Sequence, residues 1–192
     1  MRIPINLNVA TNEEFDNVVH LFSTNDNVRN HNKRMLYSLR HPIARNVATK
    51  VGSVNAIEDC LDDEINLDLL ISNNSRVVLT SNLWTKVSLV NGALGYIRKI
   101  VYKPGSAPLE PPTYVMVKFD NYSKMAFDDH HPTTIPIKAI QRDSTLQLPL
   151  RLAWALTIHK SQGLTLSKAT IDIGPRERIG LTFVVVSRVK SL

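Results

Sequence analysis

The sequence predicts an α/β fold interrupted by a small all-β module, and three observations support this. A strand, a polar loop and a helix follow one another near the N-terminus; short β-type runs divided by turn residues fill the middle; and from Leu148 an apolar run followed by a polar turn restores the α/β texture. One α/β domain with a small barrel inserted into it gives this order of textures.

Residues 18–22 (VVHLF) form a short apolar run, read as a buried strand. It leads into Ser23-Thr24-Asn25-Asp26, whose short side-chain oxygens suit a helix N-cap. In the helix that follows, Val28, Met35 and Leu36 share one face, and Arg29, Lys33 and Arg34 take the others. Residues 57–74 are acidic and polar, with Asp62-Asp63-Glu64 at their centre. Adjacent carboxylates suit a metal, but no His or Cys stands at ligand spacing, so a solvated linker and no metal site are expected. The β-type runs are residues 76–80 (RVVLT), 93–102 around Gly95, 114–119 (YVMVKF) and 134–137. Asn91-Gly92, Lys103-Pro104-Gly105 and Pro111-Pro112 break them, and several short strands at this spacing predict a small barrel. Residues 150–157 then read as one apolar strand and residues 169–173 (ATIDI) as another buried one.

With 43% hydrophobic residues, the 192-residue chain has enough apolar material for a core. No apolar run approaches bilayer length, and residues 1–10 lack the pattern of a secretory signal. Cys60 has no partner for an internal disulfide and reads as a small filler in a reducing, intracellular setting. Net charge is +6, unevenly spread. Residues 1–75 hold 7 basic and 10 acidic side chains, residues 76–149 hold 9 and 5, and residues 150–192 hold 7 and 2. The basic excess in the last two thirds is what a nucleic-acid footprint needs, although many basic proteins touch no nucleic acid.

The most informative stretch is residues 150–166, LRLAWALTIHKSQGLTL. An apolar strand there delivers Thr157, His159, Lys160, Ser161 and Gln162 to its end, where α/β sheets hold ligand-contacting groups. Hydroxyls, an imidazole, an ammonium and turn N–H groups are suitable partners for phosphate oxygens, and Gly163 allows a turn or a close approach. An ordinary polar helix start would account for His159 or Lys160 taken singly. Among the aromatic residues, Trp84, Tyr96 and Tyr122 could face bases, with core or turn packing the commoner role for each.

Thr-x-His-Lys-Ser-Gln-Gly after an apolar strand resembles motif V of the superfamily 1 DNA helicases, in particular the Pif-type and RecD-like branch (superfamily 1B). Residues 180–192 (GLTFVVVSRVKSL) resemble motif VI, and residues 21–25 with Val28 and Asn32 resemble motif IV and its flanks. Residues 76–80 with Leu89-Val90-Asn91-Gly92 and Gly95 resemble the start of the SH3-like barrel that this branch carries. The resemblance implies a second RecA-like motor domain over residues 1–73 and 148–192, with an SH3-like β-barrel inserted over residues 74–147. It also implies the C-terminal part of an ATP-dependent 5′-to-3′ DNA helicase, an ATP hydrolase. Such enzymes serve DNA repair, recombination and telomere maintenance in the nucleus or mitochondrion.

By that resemblance Arg188 is the arginine finger, and Gln162 and Gly163 lie beside ATP. Thr24, Asn25, Thr157, His159, Lys160 and Ser161 face the backbone of single-stranded DNA, and Asn91 joins them unless it serves only as an Asn-Gly turn. An arginine fork suits the charge that develops on a transferred phosphoryl group. The seven glycines include no Gly-Lys-Ser/Thr loop, and no apolar strand ends in an acidic pair. ATP and Mg²⁺ are therefore expected on a first motor domain absent from this chain, which alone should not hydrolyse ATP. Val184-Val185-Val186 departs from the family by its strand-favouring bulk, and the link from Gly174 to Gly180 is short for it. Two alternatives stay open: a catalytically inactive module that binds single-stranded DNA or docks on a partner, and a degenerate copy without activity.

Overall fold

The computed structural model describes residues 18–50, 68–105, 110–122, 133–142, 145–164, 166 and 168–172. The chain divides into two compact units, one of residues 1–28 with 154–192, the other of residues 29–153. The expected domain limits, 73/74 and 147/148, fall inside the second unit.

In the first unit β1 (Val19–Phe22) is the central strand of a three-stranded sheet. Helix α1 (Asn25–Ser38) follows, its first turn in the first unit and its body in the second. Thr24 starts it as expected: its carbonyl accepts from the Val28 N–H at 3.3 Å and its hydroxyl from the Asn27 N–H at 3.4 Å. Arg29, Lys33 and Arg34 are exposed and Leu36 is buried, as the spacing requires; His31 and Asn32 are buried beside it.

The second unit begins with β2 (Ile43–Val47) and β3 (Thr49–Lys50), and β4 (Asp68–Ser72) pairs antiparallel with β2. Of the expected linker, residues 57–67 lie outside the described residues, and residues 68–72 correct the reading. They form a strand because Leu69 and Ile71 alternate onto a buried face. β5 (Arg76–Leu79), β6 (Leu94–Val101), β7 (Tyr114–Phe119) and β8 (Thr134–Ile137) match the predicted runs closely. β9 (Ile140–Arg142) and β10 (Thr145–Gln147) make a small sheet with β3. β11 (Leu150–Leu152) joins the edge of the main antiparallel sheet, in the order β11-β5-β6-β7-β8.

Val77, Leu79, Ile97, Val115, Val117, Ile137 and Leu150 bury themselves in one cluster with Leu69 and Ile71. Each such side chain contributes roughly 1.5–3 kcal/mol. A register shift between Ile97 and Lys99 marks a bulge in β6, the usual device for bending a strand. Gly95 has a packing reason: a Cβ there would stand 2.6 Å from the Lys118 carbonyl oxygen across the β6–β7 pair.

Residues 150–157 are not one strand. After β11 the chain leaves the second unit at Ala153 and enters the first as β12 (Ala155–Thr157), parallel to β1. β13 (Ala169–Asp172) pairs parallel with the other side of β1, giving the order β12-β1-β13. It is half-buried to exposed rather than buried, since among the described residues it is an edge strand.

Candidate nucleic-acid interface

In the first unit three parallel strands end together. Phe22 at the end of β1 lies opposite Thr157 of β12 on one side and Asp172 of β13 on the other. The Ile158 N–H donates to the Phe22 carbonyl at 3.0 Å, continuing the β1–β12 pairing one residue past β12. The loops beginning at Ser23 and Ile158 therefore leave one carboxyl edge side by side, the place where parallel α/β sheets bind ligands.

The second loop is a tight turn. Residues His159–Ser161 make a single 3₁₀ turn, extended by Gln162 N–H donating to the His159 carbonyl at 3.2 Å and Leu164 N–H to the Ser161 carbonyl at 3.0 Å. Two of the expected phosphate-facing hydroxyls shape this turn. Thr157 is buried and its Oγ1 accepts from the Lys160 N–H at 3.3 Å; Ser161 is fully buried and its Oγ donates to the Ile158 carbonyl at 2.7 Å. His159, Lys160, Gln162 and Gly163 are exposed on the same turn. Gly163 has φ +85°, where L side chains are strained, and a Cβ would meet nothing within 4 Å. The glycine answers to conformation, not to space.

Thr24 and Asn25 are exposed in the neighbouring loop, so the structure gathers eight of the expected residues into one unit. Asn91 belongs to the other unit. It is exposed in the 90–93 turn, closed by Ala93 N–H donating to the Val90 carbonyl at 2.9 Å, and its N–H donates to Asn82 Oδ1 at 2.8 Å. Arg188, with the motif VI stretch, lies outside the described residues. Asp172, exposed at the end of β13, puts a carboxylate on one side of the edge that sequence reasoning did not weigh.

A parallel sheet with polar loops at its carboxyl edge, interrupted in sequence by an antiparallel β unit, makes this an α/β chain. No family model matches the sequence. The zebrafish (Danio rerio) ATP-dependent DNA helicase PIF1 is 32% identical over 124 residues, 65% of this chain and 18% of that protein. The Campylobacter jejuni ATP-dependent DNA helicase Pif1 is 29% identical over 192 residues, 90% of this chain and 40% of that protein. A crystal structure of Pif1 helicase from Bacteroides in complex with ADP-AlF3 and ssDNA has the same fold, with TM-score 0.59 and 24% identity over 92% of this chain and 39% of that one. The chain's relatives are thus Pif1-type ATP-dependent DNA helicases, and it spans less than half the length of each of these three.

Proposed function

We propose that this chain supplies the second RecA-like motor domain of a Pif1-type 5′-to-3′ DNA helicase, with the five-stranded sheet of its second unit as an inserted SH3-like barrel. The observation that carries the proposal is the shared carboxyl edge: Phe22 beside Thr157 brings the Thr24–Asn25 loop and the 3₁₀ turn after β12 together. Thr24, Asn25, His159 and Lys160 contact the sugar-phosphate backbone of a single strand. Thr157 and Ser161 act one step back, by holding the turn that presents His159 and Lys160.

Gln162 and Gly163 face the nucleotide. The exposed amide is a suitable phosphate partner, and the open backbone at Gly163 leaves room for close approach. Arg188 reaches the phosphoryl group as arginine finger, an interaction worth roughly 10³–10⁵ in rate in well-studied cases. Mg²⁺, when bound with ATP, would supply charge neutralisation to the phosphates; no residue of this chain is assigned to it, and the groups that cradle it and most of ATP belong to a first motor domain.

The test mixes this chain with a separately produced Pif1-type first motor domain and single-stranded DNA. DNA-stimulated ATPase is expected from the mixture, none from this chain alone, and loss of the ATPase with Arg188→Ala. ATP hydrolysis by this chain alone, or a mixture indifferent to Arg188, would overturn the assignment. DNA binding without restored ATPase would favour a binding module instead.

A further inference from the structure

Between β5 and β6 the second unit carries an eleven-residue loop, residues 81–91, built too firmly to be a mere connection. At its base Gly92 N–H donates to the Leu79 carbonyl at 2.8 Å. Further out, Leu83 and Trp84 N–H groups donate to the Leu89 carbonyl at 2.9 and 3.0 Å, and the Leu89 N–H returns to Trp84 at 3.1 Å. The tip is the 3₁₀ turn Thr85–Val87, closed by Val87 N–H to the Trp84 carbonyl at 3.3 Å, with Ser88 left-handed at φ 64°. Val87 and Leu89 are buried in the core and anchor the loop from inside.

This anchored frame holds its largest apolar side chain out in solvent. Trp84 is 55% exposed, with Leu83 beside it at 39%. An indole normally buries its area when it can. Here the backbone bonds of Trp84 itself fix it on the outside, so its position follows from the frame and not from a loose segment.

The electrical setting is one-sided. Residues 76–105 contain five basic side chains and no acidic one. Lys86 is exposed on the same 3₁₀ turn, and the exposed Arg142 is tied to the loop's base, Nη2 donating to the Thr80 carbonyl at 3.0 Å. An exposed aromatic with exposed cations on its own turn and at the base of its loop is the pairing that proteins use for unpaired nucleotides, where a base stacks on the ring and cations take the flanking phosphates. A flat apolar protein partner would not call for the cations, and duplex DNA hides its base faces.

We propose that Trp84 is a base-stacking platform for single-stranded nucleic acid, with Lys86 and Arg142 neutralising the neighbouring phosphates. This contact belongs to the second unit and the carboxyl-edge residues to the first, and it rests on the nucleic-acid reading above. It adds an aromatic, salt-insensitive component to a binding mode otherwise made of backbone contacts.

The chain's two tryptophans make the test direct, because Trp154 is buried at 8% exposure and Trp84 dominates the quenchable emission. The full chain is titrated with oligo(dT) at low salt, following both anisotropy of a labelled strand and tryptophan emission, with a blunt duplex as comparison. Emission should be quenched and shielded from acrylamide on binding. Trp84→Ala should weaken oligo(dT) binding by about 5- to 100-fold, Trp84→Phe should keep most of the affinity, and Trp84→Leu should behave like Ala. An unchanged urea midpoint for these variants confirms that the exposed side chain carries no folding role. If the wild type binds no single strand at all, the motor reading fails and takes this inference with it. If it binds but Trp84→Ala binds equally well with unaltered emission, the inference alone is overturned. Full affinity in Trp84→Leu would also overturn stacking, and would point to an apolar protein contact at the loop tip.

Discussion

The ion pair of Arg76 with Asp120 allows a prediction about which partner the fold can better do without. Arg76 stands at the start of β5 with its side chain 9% exposed, and Asp120 follows β7 with its side chain 39% exposed. The fork is bidentate, Nη1 donating to Oδ1 at 2.9 Å and Nη2 to Oδ2 at 2.6 Å, and the guanidinium lies 4.4 Å from the centre of the Tyr96 ring. Arg76 Nε is buried with no hydrogen-bond partner among the described residues, so Asp120 carries most of the compensation for the buried charge. Breaking a fully buried pair by removing one partner costs about 3–5 kcal/mol. Water at the carboxylate reduces that, so Asp120→Ala should cost roughly 2 kcal/mol by leaving a cation stranded. Arg76→Met should cost about 1 kcal/mol or less, because the stem packing survives, the orphaned Nε disappears and Asp120 hydrates freely. With a urea slope of about 2 kcal/mol/M, Asp120→Ala lowers the midpoint by roughly 1 M and Arg76→Met by half that or less. Urea unfolding followed by circular dichroism reads both, and the double variant should match Arg76→Met. An Arg76→Met midpoint below that of Asp120→Ala would refute the reasoning, since the pair would then be adding net stability.

Three further outcomes are expected. Gly95→Ala forces a Cβ against the Lys118 carbonyl across the β6–β7 pair and should cost about 1–3 kcal/mol in the same urea assay, a larger loss than glycine-to-alanine in an open strand. Gly163→Ala meets no neighbour but strains a left-handed residue, so stability should fall by only about 1 kcal/mol while oligo(dT) affinity, read by anisotropy, falls through distortion of the turn that holds Lys160. Lys160→Ala removes one phosphate contact, and the slope of log affinity against log salt should shrink by about 0.7 in the same anisotropy assay.

Much of this fold was legible because its signals are local. β7 follows from alternation between turn residues, and α1 from the Thr24 oxygen and the apolar spacing of Val28, Met35 and Leu36. β2 was not legible. Its inward residues are Ala44 and Asn46, too small or too polar to stand out, while its larger Ile43 and Val47 face solvent. β4 was hidden by the acidic residues before it. The break of residues 150–157 into two strands left no trace either, since a run that is apolar almost throughout has no period to interrupt. At the site, chemistry showed which side chains suit phosphate but not which were already engaged. Thr157 and Ser161 look like ligands in sequence, yet their hydroxyls close the turn. Trp84, read as base-facing or else as core or turn packing, stands exposed at the start of a 3₁₀ turn.

The interval between β1 and β12 is long in sequence, and the second unit fills most of it. Phe22 and Thr157 pair across the whole of that unit, and a flexible connection of such length would oppose the pairing by its closure entropy, growing as (3/2)RT ln n. A folded unit removes most of that penalty if its own ends lie close together. They do: the Asn32 side chain donates from Nδ2 to the Leu152 carbonyl at 3.4 Å, joining residues 120 positions apart, and the Ala153 N–H donates to the Arg76 carbonyl at 2.9 Å. Leu152 lies two residues before Trp154, whose carbonyl accepts from the His20 N–H at 2.8 Å and begins the β1–β12 register. The second unit is thus a clasp on the chain as well as a surface. Arg76 serves both, with its carbonyl holding the exit strand and its guanidinium holding the end of β7.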